Sequence, residues 1–165
     1  MSIARRIAWL VCVLVCCAGC DRVAKSFAQA HLDGQAVRSY LADTVRVQLR
    51  YNEGAFLSLG ASLPKPWREA LLRGGVACVL LGLLAYAVFL APSHPLLLAG
   101  ASFVFAGGTS NLADRFLYDG RVVDFVSVGV GALRTGVFNV ADATITAGVV
   151  LMLLSEFIPR RERRT

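Results

Sequence analysis

The sequence predicts a mainly α-helical, polytopic membrane protein: four transmembrane helices with a small extracytoplasmic β-sheet. Three observations predict it. Hydrophobic residues make up 56% of the 165-residue chain and charged residues only 17%, against about 25% in an ordinary soluble domain. Residues 74–113 contain no Asp, Glu, Lys or Arg. Positive charge gathers at the two ends: of the net +6, Arg5 and Arg6 supply two and the segment Arg160 to Arg164 three, which leaves one for everything between. The length fits one compact bundle, read as a single membrane-embedded domain over 1–165. The composition is too apolar for disorder. A nucleic-acid groove needs basic charge spread over a folded face, so no nucleic-acid partner is expected.

The uncharged run is forty residues long; as one helix it would measure ~60 Å, twice the ~30 Å hydrocarbon core. Ala91-Pro92-Ser93-His94-Pro95 interrupts it, and two prolines in four residues break a helix and suit a tight connection. Two crossings follow, at about 70–91 and 95–113. The alternative, a buried hairpin of a soluble core, lacks the residues to cover it.

The ends need more argument. Ile7 to Cys20 is apolar but only fourteen residues long, and Arg5-Arg6 before it resembles the charged region of a signal peptide. Leu14-Val15-Cys16-Cys17-Ala18-Gly19-Cys20 looks like a lipoprotein cleavage box, with Cys17 where Leu is usual. Locally, cleaved signal and first span read equally well. The later spans decide for an uncleaved span at about 7–28, with Asp21, Arg22 and Lys25 at the outer boundary. The last apolar segment is read as a span at 139–158, followed by a tail at 159–165. Only thirteen uncharged residues separate Asp142 from Glu156, or ~20 Å of helix. A full crossing must include Asp142 near one edge, and an ionisable residue there is a functional hypothesis.

Four spans put both termini on one side, and the Arg-rich tail makes that side cytoplasmic. The loop between the first two spans also carries Lys and Arg, but its length weakens the charge rule. On the far side, Val45 to Tyr51 alternates apolar and polar and Val122 to Val128 is β-rich. These two loops are expected to pair into a sheet on the outer membrane surface.

The chemistry must come from few residues. Cys12, Cys16, Cys17, Cys20 and Cys78 lie in apolar segments, without zinc-ligand spacing and far from His31 and His94. No phosphate-binding loop or Gly-x-Ser-x-Gly elbow is present. Three carboxylates stand out. Asp114 adjoins Arg115, which suggests a local ion pair at a helix end. Asp124 is the only charge in the apolar run Val122 to Val130, where a lone carboxylate is costly without a partner. Asp142 follows Asn139 by three residues, so helix capping and catalysis explain it equally. Two carboxylates brought together cannot both stay ionised, and such a pair suits aspartyl chemistry. A helix start favours the anionic form of Asp142, but in a coupled pair the proton belongs to both.

Five blocks in order resemble the lipoprotein signal peptidase (signal peptidase II) family over essentially the whole chain. They are Asp21-Arg22-Val23-Ala24-Lys25, Asn52-Glu53-Gly54-Ala55-Phe56, Asn111-Leu112-Ala113-Asp114-Arg115, Val122-Val123-Asp124-Phe125 and Phe138-Asn139-Val140-Ala141-Asp142. The resemblance implies an intramembrane aspartyl endopeptidase of the bacterial inner membrane. It would remove signal peptides from diacylglyceryl-modified prolipoproteins, cutting before the lipidated cysteine. Carried over, Asp124 and Asp142 are catalytic. Asn52, Gly54, Asn111, Arg115 and Asn139 line or brace the site, and Asp21 and Lys25 support it. No metal or other cofactor is implied. Phe56, Phe125 and Phe138 are expected to receive lipid. The chain departs from the family pattern at Arg22, where Gln is common, and at Ser110, where Gly is usual. It also has one Ala before Phe56, and no Pro before Phe138. A small transporter and a non-enzymatic membrane lipoprotein are the alternatives. The first should place polar residues along the depth of several spans, and residues 74–113 offer little beyond Thr109, Ser110 and Asn111 at one end.

Overall fold

The computed structural model describes residues 1–54, 62–90 and 94–157. Phe56, the Pro92 turn and the Arg-rich tail lie outside the described residues. The elements run α1 (Ile3–Leu32), β1 (Arg38–Tyr40), β2 (Val45–Asn52), α2 (Lys65–Phe89), α3 (Pro95–Leu117), β3 (Val122–Val130), β4 (Leu133–Arg134) and α4 (Val140–Phe157). Among the described residues, these four helices are long and apolar enough to cross a membrane.

α1 begins where Ser2 Oγ accepts from Arg5 N at 3.4 Å, an N-cap. Its thirty residues measure ~45 Å, about 15 Å more than the hydrocarbon core. The helix therefore continues past 28, the expected end of the span. Asp21 and Lys25 do not mark an exit from helix, because both are buried against α3 and α4. Cys20 sits within this unbroken helix. α2 starts at Lys65, ahead of the expected residue 70, since Pro66 falls in its first turn, where a missing N–H costs nothing. Ala70–Gly75 within it and Tyr86–Leu90 at its end wind as π-helix.

α3 starts at Pro95 as expected and runs to Leu117, past 113, because Asn111, Asp114 and Arg115 are buried in the bundle rather than at its exit. Small residues let its backbone touch α4. A Cβ on Gly100 would lie 2.6 Å from Gly148 O, and one on Gly107 2.5 Å from Ala141 O. Close backbone approach of this kind drives helix association where hydrophobic burial cannot. Leu10, Ala87, Val88, Leu98 and Ala101 fill the space among α1, α2 and α3.

The sheet has order β1-β2-β3-β4, every neighbour antiparallel. β2 and β3 are the two segments expected to pair. Val45 stands opposite Val128 and Val47 opposite Val126; after a register shift Arg50 stands opposite Asp124. Such a bulge bends the strand and sharpens its twist. Phe138 bridges to Val126, and its N–H donates to Val126 O at 2.7 Å. The chain entering α4 is thereby tied to the sheet. The short strands β1 and β4 have no counterpart in the sequence expectation. The β1–β2 turn carries three successive residues of positive φ: Leu41 (52°), Ala42 (50°) and Asp43 (66°). Asp43 holds it together, accepting from Ser39 Oγ at 2.6 Å and from Arg46 at 2.8 and 2.7 Å, with Arg134 also in contact.

Candidate active site

The head of α4 brings the polar residues together. Asn139 Oδ1 accepts from Asp142 N at 2.9 Å, and Asp142 Oδ2 accepts from Asn139 N at 3.2 Å. This reciprocal pair is a capping box. Asp142 does more than cap, since its other oxygen accepts from Asn111 Nδ2 at 2.8 Å. Across from it, β3 presents Asp124. Its Oδ1 accepts from Asn139 Nδ2 at 2.7 Å and its Oδ2 from Asn52 Nδ2 at 3.0 Å. The Asn139 side chain therefore touches both acids, one through its oxygen and one through its nitrogen.

Beneath this pair lies a denser layer. Lys25 is fully buried. Its ammonium spends its three protons on Asp21 Oδ2 (2.6 Å), Asp114 Oδ2 (2.8 Å) and Asn111 Oδ1 (2.9 Å). Asn111 Oδ1 also accepts from Asn139 Nδ2 at 3.1 Å. With both lone pairs taken, Asn111 must turn its NH₂ toward Asp142. Asp21 further accepts from Ser110 Oγ at 2.6 Å and Ala141 N at 2.8 Å. Asp114 further accepts from Arg22 Nη1 at 3.2 Å and Val123 N at 3.1 Å. A charge buried this deeply persists only when paired and fully hydrogen-bonded.

The expected Asp114–Arg115 ion pair does not form. Adjacent residues on a helix point in different directions, so Asp114 faces Lys25 and Arg22 while Arg115 faces the site. Arg115 donates to Asn111 O at 3.2 Å and Gly54 O at 3.1 Å, and its buried Nε has no hydrogen-bond partner among the described residues. Gly54 takes part through its backbone alone, its N–H donating to Asn52 Oδ1 at 2.9 Å.

A groove of 960 Å³ opens at the acids and runs down α4. Asn52, Asn111, Arg115, Asp124 and Asp142 form its polar head; Ile145, Thr146, Val149, Val150 and, from α2, Val76 line the apolar remainder. Ile145, Thr146, Val149 and Val150 follow Asp142 at helical spacing, so they share its face. Burial, then the negative charge of Asp142, push the Asp124 carboxyl up to about 7, against the pull of its hydrogen bonds from Asn52 and Asn139. Near neutral pH it is poised between acid and carboxylate.

All nine residues expected at the site are in this constellation. Of the three phenylalanines expected around it, Phe138 lines the groove, Phe56 lies outside the described residues, and Phe125 stands on the opposite face of β3 from Asp124, one residue along a period of two. Ser110 was read only as a departure from a pattern; its hydroxyl proves to anchor Asp21. The signal was present in its helical spacing, three residues after Gly107 and four before Asp114, on the buried stripe of α3.

Residues 13–158 match the family described as Signal peptidase (SPase) II. The chain is 36% identical over 118 residues to the lipoprotein signal peptidases of Brucella ovis, Brucella canis and Brucella melitensis, covering 68% of this chain and 68% of each relative. Two solved structures, each described as a bacterial membrane enzyme, at 2.3 and 1.9 Å resolution, share the fold at TM-score 0.76 and 22% identity. The first covers 96% of this chain and 95% of its own, the second 96% of both. With the profile spanning nearly every element and the relatives sharing more than a third of the aligned residues, the chain belongs to the signal peptidase II family.

Proposed function

We propose that the chain is an intramembrane aspartyl endopeptidase acting on diacylglyceryl-modified prolipoproteins, with Asp124 and Asp142 as its catalytic pair. Family membership makes it a protease that removes signal peptides from prolipoproteins; the aspartyl mechanism and the cut before the lipidated cysteine are the further reading. One observation carries it: a buried and a half-buried carboxylate, both hydrogen-bonded by Asn139, stand at the head of a groove that turns apolar down α4.

In this reading Asp142, at a helix N-terminus that favours its anion, takes a proton from water. The water oxygen attacks the scissile carbonyl carbon. Asp124 holds the shared proton and donates it to the carbonyl oxygen, which carries the developing charge. The tetrahedral species collapses as the C–N bond breaks. The leaving amine takes the proton from Asp142, and Asp124 recovers its own as the carbonyl re-forms. Arg115 and Asn52 hold the substrate backbone, and Phe138 with the α4 face receives its apolar part. Two acyl chains fix the cysteine at this depth, since each buried CH₂ contributes about 0.8 kcal/mol to membrane anchoring. Arginines at both ends of the chain support termini in the cytoplasm and a site at the outer face of the bacterial inner membrane.

The test uses membranes containing the protein, a diacylglyceryl-modified prolipoprotein and a gel-shift readout. Modified precursor should be shortened by its signal peptide, and unmodified precursor left intact. Equal rates for the two would mean the lipid is not read, and the lipoprotein assignment would fail.

A further inference from the structure

Two arginines near the acids have no partner. Every other arginine among the described residues at the site's end of the bundle holds a carboxylate or a carbonyl, from Arg22 on Asp114 to Arg134 on Asp43. The guanidinium groups of Arg38 and Arg50 hold neither, and both side chains are exposed.

The fold aims both at the acids' face of the sheet. Residues directly opposite in an antiparallel pair project from the same face. Arg50 stands opposite Asp124; Arg38 stands opposite Val47, and Val47 opposite Val126. Val126 and Asp124 are two apart on β3 and share a face by the period of two. Arg50 owes its place to the bulge. Continued unbroken from Val47, the register would set Leu49 opposite Asp124 and Arg50 opposite Val123, on the other side of the sheet. One inserted residue turns the arginine onto the acids' face, and bulges beside active sites re-aim side chains in this way. The nearby carboxylates are already engaged. Glu53 is held by Arg68 at 3.0 Å and Asp43 by Arg46 at 2.7 Å. Asp124 gives its oxygens to Asn139 and Asn52.

We propose that Arg50 and Arg38 read acidic side chains of the precursor just beyond the cut, as specificity residues for the peptidase. This rests on the proposed cleavage. The apolar signal segment precedes the cut and follows the groove down α4, so the chain after the cysteine leaves the other way, over the sheet. An extended chain covers ~3.5 Å per residue, and opposed residues of an antiparallel pair lie ~5 Å apart. Arg50 therefore serves the second and third residues after the cut, counting the cysteine as first. Arg38, two strands and ~10 Å from β3, serves those beyond. A peptide carboxylate is favoured over a lipid phosphate by position. Headgroups surround the whole bundle, whereas Arg50 is turned to the one strand residue that carries a reacting carboxyl. The contact is exposed, so it acts on capture and is weakened by salt.

The test uses the full chain in detergent micelles and three diacylglyceryl-modified precursors. They differ only in carrying acidic, amide or basic side chains at the second to fourth residues after the cut. kcat/KM is compared among precursors within each enzyme, so that damage common to all substrates cancels. The parent should prefer the acidic precursor to the basic one by about two- to fivefold for each arginine, through KM, and lose the preference in high salt. R50K should keep most of the order, R50Q flatten it and R50E reverse it. R38E, farther from the acids, should narrow it. Equal rates for the three precursors, or an order that R50E leaves as it was, would overturn the reading of charge while leaving the peptidase intact. So would a dependence on added anionic phospholipid that is the same for all three precursors, which marks a headgroup as the ligand. No cleavage of any precursor would overturn the proposed function itself.

Discussion

Two pairs of aspartates lie within a few residues of each other in this fold and are treated in opposite ways. Asp21 and Asp114 share the ammonium of Lys25, and each adds a backbone N–H and a further donor. Asp124 and Asp142 share an asparagine, and the side-chain and backbone groups that donate to them are amides, with Arg115 near but not donating to either. Burial alone does not separate them: Asp21 is 0% exposed, Asp114 1% and Asp124 1%, with only Asp142 half-buried. The difference lies in the counter-charge. Carboxylates paired with a lysine become fixed scaffolding. Carboxylates held by neutral amides can exchange one proton between them. The lower pair fixes the geometry, through Asn111, so that the upper pair can do chemistry.

Breaking the upper pair should have the largest effect. Asp124→Asn and Asp142→Asn each keep size and hydrogen bonding but cannot exchange a proton. Each should cut processing by about 10²–10⁴-fold, with insertion into the membrane unchanged by fractionation. Near-normal turnover in either would sink the dyad.

Breaking the lower pair should act on folding first. Lys25→Met leaves buried Asp21 without a cation and Asp114 with Arg22 alone, a loss of about 3–5 kcal/mol. Abundance and thermal unfolding in detergent should fall sharply. Asp114→Asn keeps Lys25 paired with Asp21 and should be milder, lowering abundance more than turnover per folded molecule.

The comparison is sharpened by pH. If Asp124 must be protonated, its occupied fraction falls as pH rises through about 7. kcat/KM should then decline roughly tenfold per unit on the alkaline side. A rate flat from pH 6 to 9 would contradict the assignment of the shared proton to Asp124. The smallest effect is expected at Phe125, on the far face of β3. Phe125→Leu should leave the preference for lipid-modified precursor intact, whereas Phe138→Ala should weaken it. Rates of modified and unmodified precursor, measured side by side, decide between them.

The spans were legible because forty uncharged residues interrupted by Pro92 and Pro95 admit few other readings. Their ends were not. Asp21, Lys25, Asp114 and Arg115 look like membrane exits in a linear sequence, and it takes the pairing of α1 with α3 to make them interior. The Asn-x-x-Asp-Arg block was read as a local pair for the same reason: adjacency along the chain is not proximity on a helix. The site residues were expected from the resemblance of five blocks to a known family, yet their division into a scaffold pair and a chemical pair depends on where a single lysine reaches. Strands β1 and β4 were invisible because three and two residues carry no period to detect.

The contacts of Gly100 with Gly148 and of Gly107 with Ala141 have a mechanical consequence. Backbone against backbone leaves no slack, so α3 and α4 move as one body and carry Asn111, Arg115, Asn139 and Asp142 together. On the opposite side, Gly108 of α3 meets only the flexible end of Leu80 from α2, and α2 holds both π-wound stretches. The groove thus has a fixed jaw and a yielding one. Its width is set by where α2 stands, since Val76 of α2 lines it opposite the α4 residues Val149 and Val150.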